Sequence, residues 1–265
     1  MATLTLHNGD CLEIMKSIPD HAVDLIICDL PYGCLASGKP KPEDSHKKHG
    51  NSPNKSYSGC PWDVKIDLEK FWIEAKRILK NDHSPVIHFC TTKFGYELIK
   101  SNESWFRYDL VWDKGRGVSF LTANKMPMRS HEMIYVFSKA GAYYNRVDIS
   151  GNFKAYVTGN GMSRQYGMKK KTAHAGEVNG EGKRCALSVI KNPKSSTKDG
   201  HPTEKPIELY KWLLERYCPP DGTVLDPTFG SGNSVFTAFE MGFNAIGIEK
   251  DATFFKKAED KLNSI

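Results

Sequence analysis

Asp24-Leu25-Ile26-Ile27-Cys28-Asp29-Leu30-Pro31-Tyr32 is the stretch on which the fold turns. Its first half is a short apolar run. A run of this length, closed by Asp and Pro, predicts a buried strand of a parallel sheet over residues 23–28. Pro31 has no N–H to give to a ladder, so the strand must end near Asp29. In open α/β sheets, ligands bind just beyond the carboxyl ends of such strands. A carboxylate (Asp29), a backbone carbonyl (Leu30), a rigid turn (Pro31) and an aromatic face (Tyr32) are therefore presented together. Two acceptors beside a flat ring suit a planar group that carries an NH2.

Outward from this stretch, strand and helix signals alternate. Residues 3–7 alternate as a strand, and Asn8-Gly9-Asp10 turns the chain. Helical spacing runs over residues 11–18, 67–80, 92–100, 206–217, 235–241 and 251–262. Strand patterns run over 85–90, 105–113, 132–138, 223–226 and 245–249. Gly115-Arg116-Gly117 reads as a flexible basic turn. Such alternation predicts an α/β domain built on a parallel sheet with crossovers.

Two stretches break the pattern. Residues 33–61 are polar and rich in Gly, Pro, Ser, Asn and Lys, and they follow directly on the proposed pocket; they predict a mobile loop over the site. Cys34, His46, His49 and Cys60 lie within it, but their spacing matches no common zinc pattern, so no metal is expected. Residues 139–200 hold 12 Lys and Arg against 4 Asp and Glu, an excess larger than the +6 of the whole chain. Tyr143, Tyr144, Phe153, Tyr156 and Tyr166 are interleaved with that charge. The stretch reads as an insertion with little core of its own, suited to a polyanion.

The totals narrow the classes. No apolar run approaches the roughly 20 residues of a membrane helix, and residues 1–7 carry no secretory signal, so no membrane partner is expected. The seven cysteines are odd in number and without close-spaced pairs. They fit a reducing cytoplasm better than a disulfide framework.

A second motif lies far downstream. Strand 223–226 ends in Asp226 and is followed by Pro227-Thr228-Phe229-Gly230-Ser231-Gly232-Asn233-Ser234, a helix, and strand 245–249 ending in Glu249. Gly230 and Gly232 let backbone approach a ligand closely. Glu249, about 20 residues beyond the loop, is placed to accept from a ribose diol. No Walker lysine follows the glycines, and the spacing is not Gly-x-Gly-x-x-Gly, so a nucleoside without a triphosphate is expected.

The Asp-Pro-Thr-Phe-Gly-Ser-Gly loop resembles the S-adenosylmethionine loop of the amino-group DNA methyltransferases. Asp-Leu-Pro-Tyr resembles their catalytic motif, usually Asp-Pro-Pro-Tyr. The catalytic motif lies upstream of the cofactor loop, as in the permuted, beta-class arrangement. Asn8-Gly9-Asp10, Trp112-Asp113-Lys114, Arg129-Ser130-His131-Glu132 and His201-Pro202-Thr203-Glu204-Lys205-Pro206 fit as further landmarks. The resemblance covers residues 1–138 and 201–265, which would form the catalytic domain, and makes 139–200 a target recognition insertion. It implies a Rossmann-like class I methyltransferase sheet of seven strands, mostly parallel and circularly permuted. Strands 3–7, 223–226 and 245–249 would form the cofactor half, and 23–28, 85–90, 107–113 and 133–138 the substrate half. The chain ends would then lie side by side. Leu30 departs from the motif's first proline; it supplies the same carbonyl with a less rigid φ.

The resemblance implies transfer of a methyl group from S-adenosylmethionine to the exocyclic amine of a flipped base in double-stranded DNA, with N6 of adenine the leading target. N4 of cytosine is the alternative, and an RNA or a protein amide lies further off. Relatives acting on glutamine resemble Asn-Pro-Pro-Tyr with the cofactor loop upstream, and both features differ here. A nucleic-acid binder without activity is disfavoured by the intact Asp29, Tyr32 and glycine loop. Asp29, Leu30, Pro31 and Tyr32 would be catalytic, with Tyr32 stacked on the base. Asp10 and Cys11 would bracket the cofactor's adenine and Glu249 its ribose. Asp226, Phe229, Gly230 and Gly232 would line its methionine end, with Lys205 near the carboxylate. Arg116, Arg164, Lys169, Lys170 and Lys171 would meet DNA. A homodimer and a cognate restriction nuclease are the further partners the resemblance implies.

Overall fold

A computed structural model describes residues 2–32, 65–118, 120–150, 183–191 and 204–265. Side-chain caps start most of the helices. Asp10 accepts from Leu12 N to open α1 (Cys11–Ile14), and Asp67 accepts from Lys70 N to open α2 (Leu68–Ile78). Thr91 caps α3 (Thr92–Ser101), and Asp251 caps α6 (Ala252–Leu262). Each such cap satisfies an N–H that the helix leaves without a partner. Pro206 precedes α4 (Ile207–Tyr217), while Gly232, at φ +83°, turns the chain into α5 (Asn233–Glu240). The helix expected over 11–18 is split, with α1 passing into a 3-10 turn at Met15–Ser17.

The strands are β1 (Leu4–Asn8), β2 (Leu25–Cys28), β3 (Val86–Cys90), β4 (Phe106–Val118), β5 (Arg129–Phe137), β6 (Ile149–Ser150), β7 (Lys183–Arg184), β8 (Val189–Lys191), β9 (Thr223–Asp226) and β10 (Asn244–Glu249). Eight of them form one sheet in the order β1-β10-β9-β2-β3-β5-β4-β8, and β6 pairs with β7 as a separate ribbon. All pairings in the sheet are parallel except those of β5, which runs against β3 and β4. The first strand lies beside the last, β1 on β10, so the chain ends meet as the permuted arrangement requires.

Two features differ from expectation. An eighth strand, β8, joins the seven expected ones, pairing with β4 and burying Ile190. It comes from within 139–200, so that stretch contributes to the main sheet. Residues 115–117 are not a free turn. They belong to β4, across a shift of register between Asp113 and Val118, because β5 begins at Arg129 and extends the pairing to Val118.

Core packing follows the strand period. In β2, Leu25 and Ile27 pack on the side of α4, α5 and α6, while Ile26 and Cys28 pack on the side of α1, α2 and α3. All four are fully buried. Such a strand must be apolar at every position, and each large side chain contributes about 1.5–3 kcal/mol. The result is a sheet between two helical layers.

From β9 the chain moves outward to β10; from β2 it moves the other way, to β3. The crevice between the carboxyl ends of β9 and β2 is therefore the topological switch point, where ligands of such sheets bind.

Candidate active site

The two sequence motifs leave adjacent strands. Leu25 pairs with Val224 and Ile26 with Leu225, and the same register carried forward sets Asp29 opposite Thr228. The Thr228 hydroxyl donates to the backbone carbonyl of Asp29 at 3.3 Å. Two loops about 200 residues apart in sequence thus share one rim.

Asp29 is the hub of the substrate side. One carboxylate oxygen receives the Tyr32 hydroxyl, which also reaches the Phe89 carbonyl at 3.0 Å. The other receives the Lys205 ammonium at 2.5 Å. Tyr32 lies against Phe94, with ring centroids 4.8 Å apart. Burial, and then the neighbouring Asp29, hold its phenol well above the usual range. Its expected role is to stack on a base; in the structure its hydroxyl is turned onto the carboxylate. Leu30 is buried and Pro31 half-buried, which fixes the turn between them.

Lys205 is the main departure from expectation. Its side chain is 5% exposed, and its ammonium lies between Asp29 and Glu132, 3.4 Å from the latter, with the Phe89 ring 5.2 Å away. The carboxylates draw it to the Asp29 side of the rim. Burial opposes the ammonium, but Asp29 and Glu132 outweigh that and its pKa is raised. Glu132, at the inward start of β5, is also bound by Lys114 of β4, which lies over the Trp112 ring at 5.0 Å. Burial opposes the Glu132 charge too, and Lys205 with Lys114 reverses the balance, so its pKa is lowered. Glu132, Lys114 and Thr228 carried no assigned role in the sequence reading. Glu132 could have been found as the one acid abutting the apolar run 133–137.

The cofactor side is built on β9 and β10. Asp226 is buried, accepting from Ser234 Oγ at 2.5 Å and from Thr228 N at 2.9 Å. Burial pushes its carboxyl up to about 7 against those two bonds. Glu249 accepts from Gly230 N at 2.8 Å and Asp251 N at 2.7 Å. Burial raises it, with those N–H groups opposing. An ionised carboxylate has about four lone-pair sites, so each oxygen retains capacity for a diol. Phe229 is buried under the loop, packed so closely on Gly247 that a Cβ there would lie 2.7 Å from the ring. Gly230 has φ +55°, and a Cβ on it would meet nothing within 4 Å. A left-handed loop with open space above it and two acidic strand tips beside it fits a nucleoside cofactor. Asn233 secures this loop to residues 204 and 205, donating to the Glu204 carboxylate and to the Lys205 carbonyl at 3.0 Å.

Asp10 and Cys11 stand at the end of β1, beside Glu249 through the Gly9 N–H bond to the Glu249 carbonyl. Asp10 caps α1 and pairs with Lys250 at 3.0 Å. The Cys11 thiol is buried and pushed up to about 12, first by burial and then by Asp10. Arg116 is exposed on β4. Arg164, Lys169, Lys170 and Lys171 lie outside the described residues, as does the loop 33–61. Among the described residues no cluster of His, Cys, Asp and Glu could hold a metal, and no helix is long and apolar enough to cross a membrane.

The sequence model of the N6/N4 family described as DNA methylase matches residues 23–260. The Type II methyltransferase M.HinfI of Haemophilus influenzae is 28% identical over 272 residues, spanning 98% of this chain and 68% of its own length. Among solved structures, the M1.HpyAVI–SAM complex superposes with a TM-score of 0.59 at 18% identity, over 98% of this chain and 99% of its own. The cytosine-N4-specific PvuII DNA methyltransferase superposes at 0.62 and 13% identity, over 98% and 86%. The permuted sheet, the joined loops at its switch point and a family match over most of the chain agree, and this chain belongs to the N6/N4 DNA methylase family.

Proposed function

We propose that this protein is a site-specific, S-adenosylmethionine-dependent methyltransferase that acts on N6 of adenine in duplex DNA. The observation that carries the reading is the Thr228–Asp29 bond, which seats the glycine loop and the Asp-Leu-Pro-Tyr turn on one rim. When bound, S-adenosylmethionine supplies a methyl group already activated on a sulfonium. The loop at Asp226, Phe229, Gly230 and Gly232, the Glu249 carboxylate, and Asp10 with Cys11 are the groups that would hold it.

The exocyclic amine of a base is a poor nucleophile because its lone pair is delocalised into the ring. Asp29 and the Leu30 carbonyl, accepting its two hydrogens, favour a pyramidal nitrogen with a directed lone pair. Methylation leaves that nitrogen with a proton to lose, and Asp29 is the carboxylate in contact with it. The work of the chain is positioning and electrostatics. A base must leave the duplex to reach Asp29, and an aromatic face at Tyr32 offsets part of the lost stacking. Accepting a base then requires Tyr32 to release the carboxylate oxygen it now covers.

DNA would lie over the carboxyl rim of the sheet. The β4–β5 connection projects there, with Arg116, Lys125, Phe120 and Leu121 exposed. Basic side chains of 139–200 would add phosphate contacts, which fix register more than sequence. The aspartate heading the motif leans toward adenine over cytosine. The reading includes a homodimer and a cognate nuclease, which sedimentation and cleavage assays on methylated and unmethylated DNA would detect.

The decisive experiment incubates the protein with tritiated S-adenosylmethionine and unmethylated duplex DNA amplified from a bacterial genome. Digestion to deoxynucleosides should place the label on N6-methyl-2′-deoxyadenosine. Label on N4-methyl-2′-deoxycytidine would transfer the reading to cytosine, and no label on DNA would refute it.

A further inference from the structure

Four charges follow one another from the catalytic turn in alternating sign: Asp29, Lys205, Glu132 and Lys114. They come from four separate parts of the chain, with Asp29 and Lys205 176 residues apart. The Lys205 side chain is 5% exposed, and those of Lys114 and Glu132 are 19% and 22% exposed. A surface ion pair of this kind would carry little consequence. A buried ammonium persists only where its surroundings compensate it, and here two carboxylates do so.

We propose that Lys205, itself held by Glu132, is a positioning residue for the methyl-transfer reaction, fixing the rotamer and the charge of Asp29 so that its other carboxylate oxygen faces the incoming amine. The inference rests on the methyltransferase reading and deepens it. The ammonium takes one oxygen of Asp29 and keeps its proton throughout; it touches neither the base nor the methyl. The oxygen now covered by Tyr32 is the one left for the substrate. Glu132 has a second part. Its carboxylate divides the pull of Lys205, so that Asp29 is held but not neutralised as an acceptor. Its Oε2 is buried 3.4 Å from the ammonium, and it acts on Lys205 chiefly through its charge.

Other groups around Asp29 cannot replace this pair. Asp226 on the neighbouring strand supplies no cation, Tyr32 donates a neutral hydroxyl, and the thiols of Cys28 and Cys90 are held in their neutral form by burial. Lys114 faces Glu132.

Removing a cation beside a carboxylate makes its charged form costlier, and removing a competing anion does the reverse. Lys205→Met and Glu132→Gln should therefore move the acidic limb of the kcat–pH profile in opposite directions. Both variants are assayed with tritiated S-adenosylmethionine and unmethylated genomic duplex, alongside melting curves and calorimetric titration of the cofactor. Lys205→Met should lower kcat about a hundredfold, with KM for both substrates within about threefold. Glu132→Gln should shift the limb downward, and it keeps the question open to test where Lys205→Met fails to melt cooperatively. Limbs that move the same way, or not at all, would overturn the proposal. So would a Lys205→Met protein with normal kcat and about tenfold weaker cofactor binding, which would return Lys205 to the cofactor's carboxylate. A wild-type protein that labels no DNA would instead refute the methyltransferase reading itself.

Discussion

Gly230 and Gly232 are two residues apart in one loop, yet the structure gives them different work, and replacing each by alanine should separate stability from cofactor binding. Both have left-handed backbone, at φ +55° and +83°. An L-residue there costs about 1–2 kcal/mol. Alanine also restricts the unfolded chain, which offsets about 0.4–1 kcal/mol of that. At Gly232 the new methyl would lie 2.9 Å from two ring carbons of Phe236, which is itself 1% exposed and cannot swing aside. Overpacking of that kind adds about 1–3 kcal/mol. Gly232→Ala should then lose roughly 1–5 kcal/mol of stability, a drop in melting temperature of several degrees. At Gly230 a Cβ meets no atom within 4 Å, so the fold should lose no more than about 1.5 kcal/mol. That open space is where the cofactor reading puts its ligand. Gly230→Ala should therefore weaken S-adenosylmethionine binding by about tenfold or more, the equivalent of 1.4 kcal/mol. Denaturant melts and calorimetric titration read the two quantities separately. A Gly230→Ala protein that binds the cofactor with wild-type affinity would refute the placement of the ligand over this loop.

Other outcomes follow from the same geometry. Asp29→Ala should abolish methyl transfer while leaving cofactor affinity within a few-fold, and should lower the melting temperature because the buried Lys205 ammonium loses its nearest carboxylate; loss of cooperative melting would make Asp29 a structural residue. Burial lifts the Asp226 carboxyl to about 7, above an unfolded value near 3.9. Its contribution to stability is therefore full below about pH 4 and is lost as pH rises through 7. Asp226→Asn, whose amide can still serve Thr228 N and Ser234 Oγ, should flatten the stability profile over that window in denaturant melts at stepped pH; an unchanged slope would count against a buried acid there. Affinity for duplex DNA should fall steeply with salt, and Arg116→Ala should reduce the log–log slope by about 1 if that side chain meets a phosphate. Tyr32→Phe removes the hydroxyl that covers Asp29 and keeps the ring, so single-turnover rates should hold within a few-fold; a loss as large as that of Asp29→Ala would mean the hydroxyl itself takes part.

Much of the fold was legible because apolar runs here end in strong punctuation. Residues 223–226 were read as a strand with the bounds observed, since Pro219-Pro220-Asp221-Gly222 and Pro227 bracket it. Strand β2 was legible for the same reason, and with it the position of Asp29. The eighth strand was not. Three residues in a basic stretch, with only Ile190 buried, carry no period a reader could detect. Nor could residues 115–117 be read as strand, because two glycines signal a turn and only pairing with a neighbour overrides that. The partner of Lys205 was hidden for another reason. A lysine in a polar hexapeptide reads as a solvated charge, and nothing local says that two carboxylates from β5 and the β2 turn converge on it.

That convergence bears on how the site must work. Both carboxylate oxygens of Asp29 already carry a donor, one charged and one neutral. The two are not equally replaceable. Releasing Lys205 would part a buried ammonium from the carboxylate it lies nearest, whereas releasing Tyr32 breaks only the hydrogen bonds of a neutral hydroxyl. An incoming amine should therefore displace the tyrosine and leave the lysine in place. The displaced ring is the same one proposed above as a stacking face for the base. Exchange of the tyrosine hydroxyl for the substrate amine thus couples opening of the acceptor to formation of the platform, and does so only when a flipped base offers both an NH2 and a π surface.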